Sequence, residues 1–129
     1  MTREKTILII EQELTVSAGL KAILEKEGYS VVSTNTSLNL KELFQDSSPD
    51  LAIININLPK ELGLSILRKT NELFPRIPII AMSVYSNSLS TREIKRLGAS
   101  DFIAKPFDVK FLKEKIEELV EHKRNADRR

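Results

Sequence analysis

The sequence contains no cysteine, which excludes disulfides, thiolate metal sites and cysteine nucleophiles together. It has a single histidine, His122, near the C-terminal end with no partner in the sequence, so no role is assigned to it. No apolar run approaches the roughly 20 residues of a membrane span. The opening "MTREKTILII" has too short an apolar stretch, and no small-residue cleavage site, for a secretion signal. A cytoplasmic protein without membrane association is expected. The body of the chain also lacks an excess of either charge: residues 1–120 hold 16 Lys+Arg and 16 Asp+Glu, and the net +2 comes from "EHKRNADRR" (121–129), with four basic and two acidic residues. Binding nucleic acid through phosphates needs a concentrated basic surface. Those last nine residues read instead as a frayed, solvated helix end, and no nucleic-acid partner is expected.

What is present suits one domain with a real core. Of 129 residues, 41% are apolar and 29% charged, an ordinary balance for a chain that buries about two-thirds of its unfolded surface. The expected domain covers residues 1–122, with 123–129 a disordered basic tail. Five short apolar runs alternate with five helix-like segments, and no repeat or low-complexity stretch interrupts them. The runs are "TILII" (6–10), "YSVVST" (29–34), "LAIINI" (51–56), "IPIIAMS" (77–83) and "DFIA" (101–104). Val16, Leu20, Ile23 and Leu24 recur at helical spacing before Gly28 supplies a stop. The same spacing joins Leu40, Leu43 and Phe44; Ile66, Leu67, Thr70, Leu73 and Phe74; and Leu112, Ile116, Leu119 and Val120. A fourth helix rests on Ile94 and Leu97, ahead of Gly98 and after the polar "SNSLST".

Strict alternation of strand and helix implies parallel strands joined by right-handed crossovers, with helices on both faces. The expected fold is therefore a three-layer α/β sandwich. Its flavodoxin-like version has the strand order 2-1-3-4-5 and places ligands at the carboxyl edge of the sheet. In that order the ends of the first, third, fourth and fifth strands meet, carrying Glu11, Gln12, Asn55, Ser83 and Lys105.

Four segments carry a resemblance that covers about residues 5–120. They are "ILIIEQE" after the first strand, "PDLAIININLPKELG" around the third, "IPIIAMS" ending the fourth in a hydroxyl, and "GASDFIAKPF" ending the fifth in Lys-Pro-Phe. In this order and spacing the sequence resembles the receiver domains of two-component response regulators. The resemblance implies a site where an aspartate takes a phosphoryl group beside a carboxylate-held magnesium ion. It assigns the aspartate position to Asn55, the two acidic positions to Glu11 and Gln12, and the hydroxyl to Ser83. Lys105 takes the lysine position, Phe102 the aromatic switch and the Asn57 carbonyl a place in the metal shell. Ser83, Lys105 and Phe102 fit the pattern, whereas Asn55 and Gln12 depart from it and Glu11 lengthens the side chain.

The departures have a chemical meaning. The amide of Asn55 is neutral and a poor nucleophile, so acyl phosphate formation there is not expected. Magnesium favours carboxylate oxygen, and only Glu11 offers a certain negative ligand, balanced by Lys105. Val84, where relatives carry alanine or glycine, would narrow the phosphoryl entry path. The expectation is an atypical receiver lacking the phosphoacceptor aspartate, with no metal, cofactor or enzymatic activity. Its pocket is expected to be a closed hydrogen-bonded cluster of Glu11, Gln12, Asn55, Ser83 and Lys105. Its output would be contact with another signalling protein or a neighbouring domain. In relatives that contact uses the fourth helix, fifth strand and fifth helix, here Arg92, Lys95, Arg96, Phe102 and Lys113.

Two alternatives stay open. The domain could still be phosphorylated with magnesium by an unusual route through Glu11 or Ser83, neither of which has an evident activating base. It could also be a flavodoxin-type cofactor binder, although "EQELT" (11–15) places Glu11 and Glu13 where such proteins cradle phosphate with backbone N–H groups. DNA binding is weaker still, because no helix-turn-helix pattern follows residue 120.

Overall fold

The structure, a computed structural model, describes residues 4–35, 39–56, 60–84 and 91–127. Five strands alternate with five helices along the chain: β1 (Thr6–Ile10), α1 (Leu14–Lys26), β2 (Ser30–Thr34), α2 (Leu40–Ser47), β3 (Leu51–Asn55), α3 (Lys60–Leu73), β4 (Ile79–Val84), α4 (Thr91–Arg96), β5 (Asp101–Lys105) and α5 (Val109–Asp127). All strand pairs are parallel, in the order β2-β1-β3-β4-β5. This is the order of the flavodoxin-like architecture that the alternation resembles. The last helix runs on to Asp127, past the expected domain limit at 122.

Burial explains why the strands lack an apolar-polar alternation. Every residue of β1 and β3 is buried, because both strands are covered on both faces. The edge strands β2 and β5 are each only partly buried. One apolar layer joins Ile7, Ile9, Leu51, Ile53, Ile80 and Met82 to α1 and α5 through Leu20, Leu24, Leu112 and Ile116. The other joins Leu8, Ile10, Ala52, Ile54 and Ala81 to α2, α3 and α4 through Leu40, Phe44, Leu67 and Ile94. Each fully buried side chain of this kind contributes about 1.5–3 kcal/mol relative to exposure. Phe44 also stacks on Phe74, with ring centroids 4.7 Å apart and planes 9° from parallel. Leu73, expected on the buried face of α3, is 39% exposed, since it flanks the stripe formed by Ile66, Leu67 and Thr70.

Gly28 and Gly98 end their helices in the same way. Gly28 has φ +97° and Gly98 φ +121°, values that L side chains rarely adopt. The amide of Gly28 donates to Glu25 O and that of Tyr29 to Leu24 O, and Gly98 and Ala99 repeat the pattern on Lys95 O and Ile94 O. These paired bonds satisfy the last carbonyls of α1 and α4. At the amino edge of the sheet, Thr6 N donates to the buried Asp50 Oδ2 at 2.8 Å, and Asp50 N donates to Thr6 O at 2.8 Å. That reciprocal pair fixes the start of β1 against the entry to β3.

Thr70, in α3, is fully buried, and its hydroxyl has no hydrogen-bond partner among the described residues. An unpaired buried hydroxyl costs about 1–3 kcal/mol. Thr70→Val keeps the shape and removes that cost, so urea unfolding should show stability raised by about 1 kcal/mol. A loss of similar size would mean that the hydroxyl is satisfied in solution.

Candidate functional site

The carboxyl edge of the sheet is built by the strand ends themselves. Glu11 follows β1 directly, and its amide donates to Thr34 O at 3.0 Å, extending the β1–β2 ladder. Asn55 is the last residue of β3. Its register partner is Met82, and Ile56 N donates to Met82 O at 2.9 Å, so the backbone around Asn55 is held against β4. One residue beyond the Ile10–Ile54 pair, Glu11 and Asn55 lie side by side on neighbouring strands, about 5 Å apart. Both follow the alternation of Ile9 and Ile53 and so share the α1–α5 side of the sheet. Lys105 ends β5 two residues after Ile103 and falls on that side too.

Lys105 reaches across the edge. Its ammonium donates to Glu11 Oε1 at 3.1 Å, with side-chain exposures of 16% for Lys105 and 2% for Glu11. The other carboxylate oxygen, Oε2, is buried and has no hydrogen-bond partner among the described residues. Asn55 is 6% exposed and Ser83 fully buried, and both have partners of their own. Ser83 follows Met82, so strand alternation places it on the register positions facing α2–α4. Gln12 is solvent-exposed. Of the five expected cluster members, the structure therefore joins Glu11 to Lys105, sets Asn55 beside them, and leaves Gln12 at the surface. Asn57 and the side chains of Val84 and His122 lie outside the described residues, as does most of "SNSLST".

This donor set does not suit magnesium. One buried carboxylate is already bonded to an ammonium, and the pair sums to zero charge. The neighbouring side chain is a neutral amide, whereas magnesium favours several oxygens with net negative charge. Among the described residues no group of three or more His, Asp or Glu could hold a metal ion. A surface cleft of about 270 Å³ beside the first helix is lined by Glu11, Leu14, Ser17, Ser33, Thr34 and Asn35. It includes none of Asn55, Ser83 or Lys105, and Glu11 on its wall opposes a phosphate there.

Arg92, Lys95 and Arg96 are exposed together on α4, as their i, i+3, i+4 spacing dictates. Phe102 is half-buried and packs against the α2–α4 layer of the core. Lys113 does not join that surface. Leu112 and Ile116 turn α5 so that Lys113 flanks α1, where it pairs with Glu27. Lys115 occupies the β5 side instead, 3.0 Å from Asp101 Oδ2, with its ammonium 5.6 Å from the Phe111 ring centroid. The hydrogen bond to Asp101 and then its charge raise the Lys115 pKa above the ordinary lysine value. Tyr29, beside α5, has its pKa raised by burial and then by Glu117 and Glu27. Lys115 and Asp101 were missed in the sequence because only the rotation of α5 on its core stripe brings them together.

Comparison with known proteins settles the family. Residues 7–117 match the response regulator receiver domain. The chain belongs to that family. As a receiver domain it is similar to sporulation initiation phosphotransferase F of Bacillus subtilis, at 28% identity over 125 residues, covering 97% of this chain and all of the relative. It is 32% identical over 114 residues to TorR, the TorCAD operon transcriptional regulatory protein of Escherichia coli, covering 88% of this chain and 49% of that protein. The chain thus spans about half the length of such longer curated relatives. Among solved structures, a CheY-like receiver domain from Methanospirillum hungatei superposes with a TM-score of 0.86 at 28% identity, covering 96% of this chain and 99% of that one. No helix among the described residues is long and apolar enough to cross a membrane.

Proposed function

We propose that this receiver domain signals without being phosphorylated, as a non-enzymatic module whose output is contact with another signalling protein or a neighbouring domain. The observation that carries this reading is Asn55, a buried amide at the end of β3, at the position that the family's pattern gives to the acceptor aspartate. A neutral amide lacks the charge and the available lone pair for attack on phosphorus. Glu11, on the neighbouring strand, is engaged by Lys105 and is a poor replacement acceptor. The exposed Arg92, Lys95 and Arg96 on α4, with Phe102 beside them on the neighbouring β5, form the contact surface in this reading.

Acetyl phosphate with magnesium tests it directly. Intact-mass measurement at neutral pH should show no added phosphoryl group on the native chain. An adduct mapping to Glu11 or Ser83 would overturn the proposal in favour of phosphoryl transfer by an unusual route. That second reading draws on the relative named as a phosphotransferase.

A further inference from the structure

We infer that the ammonium of Lys105 is the resident cation of this pocket, tethering the β1 and β5 ends so that no soluble divalent ion is needed there. The inference rests on the reading of a receiver that signals without being phosphorylated, and the tests below separate the two. Glu11 is 2% exposed, and a carboxylate taken so far from water needs a compensating charge. The compensation is Lys105 Nζ, 3.1 Å away. Asn55, alongside, is neutral, and Gln12 is neutral and exposed, so neither adds a negative charge to attract a dication.

Two features distinguish this from an incidental ion pair. Lys105 and Glu11 lie 94 residues apart in sequence and on strands separated in the sheet by β3 and β4. Their bond therefore ties one side of the carboxyl edge to the other. The second feature is Glu11 Oε2, buried without a hydrogen-bond partner among the described residues. The carboxylate is held on one oxygen alone, so loss of Lys105 leaves it wholly uncompensated, with an oxygen open to an added cation.

Melting curves of the native chain, Lys105→Met, Glu11→Gln and the double variant test the charge dependence. Lys105→Met should lower the midpoint by about 5 °C or more while Glu11 is present, and by less than about 2 °C once Glu11 is Gln. Equal losses in both backgrounds would assign Lys105 a packing role through its stem and overturn the inference. Manganese(II) alone then probes the cation seat by NMR line broadening of the amides around Glu11 and Asn55. At millimolar manganese, broadening is expected in Lys105→Met and absent from the native chain. Broadening in the native spectrum, or in neither protein, overturns the inference, and the native measurement decides even if the variant fails to fold. Manganese binding to a native chain that acetyl phosphate leaves unmodified would remove the tethered cation yet keep the phosphorylation-independent reading. Phosphorylation of a native chain that shows no manganese broadening would do the reverse.

Discussion

Gly63→Ala is expected to lower the thermal midpoint by about 10 °C, a loss on the order of 3 kcal/mol for a domain of this size. Gly63 is buried in the first turns of α3. A Cβ built there would stand 2.7 Å from Ile56 Cα and 2.7 Å from Ile56 O. Both are backbone atoms, so no side-chain rotation can relieve the contact. Ile56 directly follows Asn55, and its amide is bonded to Met82 O. The helix therefore presses on the chain that fixes Asn55, and pushing it away loosens the sheet edge as well as the core. Gly19→Ala is the matched control. Gly19 lies within α1 with nothing inside 4 Å of its Cβ position, so alanine should raise stability by about 0.5–1 kcal/mol through helix propensity. Denaturant unfolding of the two variants should give opposite signs. A neutral Gly63→Ala would show that the close approach of α3 to β3 is absent in solution.

Asn55→Asp is expected to weaken the domain without restoring phosphorylation. The new carboxylate would stand on the strand next to Glu11, and two like charges separated by about 5 Å repel by about 3 kcal/mol at an effective dielectric near 20. Lys105 offsets part of this, leaving a deficit of about 2 kcal/mol, or roughly 6 °C in the midpoint. The deficit depends on pH with a definite sign. The folded state opposes the charged form of the new aspartate and raises its pKa above the unfolded value near 3.9. The deficit is thus full above the raised folded pKa and shrinks as pH falls toward the unfolded one. Melting curves at pH 7.5 and pH 4.5 check this against the native chain. Under acetyl phosphate and magnesium the variant should remain unmodified, because Lys105 is engaged by Glu11 and the Gln12 amide adds no charge to hold the metal. Ready phosphorylation of Asn55→Asp would show that a single residue disarms the site, and the wider account of the pocket would fail.

The fold was legible because its signals are local and repeated. Continuous apolar runs such as "LAIIN" announce strands covered on both faces. Helical spacing through Leu112, Ile116 and Val120 announces a packed helix, and Gly28 and Gly98 sit where the chain needs positive φ. The order of the strands came from the architecture that such alternation resembles, and the sheet has that order. The site was legible in part. Asn55, Ser83 and Lys105 could be placed at strand ends by counting. Which of them touch could not, because contact depends on how far a long side chain reaches across several strands.

What the sequence determined by itself, then, is the alternating scaffold and the residue types at its edge: the amide of Asn55, the acid of Glu11 and the amine of Lys105. The tertiary structure alone decided the partnerships. Lys105 pairs with Glu11 across β3 and β4, Lys113 turns to Glu27, Lys115 takes Asp101, and Gln12 faces solvent. The physical reason is range. Backbone preference and apolar periodicity act over a few residues and can be read along the chain, whereas a charge pairs with whatever the packed layers bring within about 4 Å.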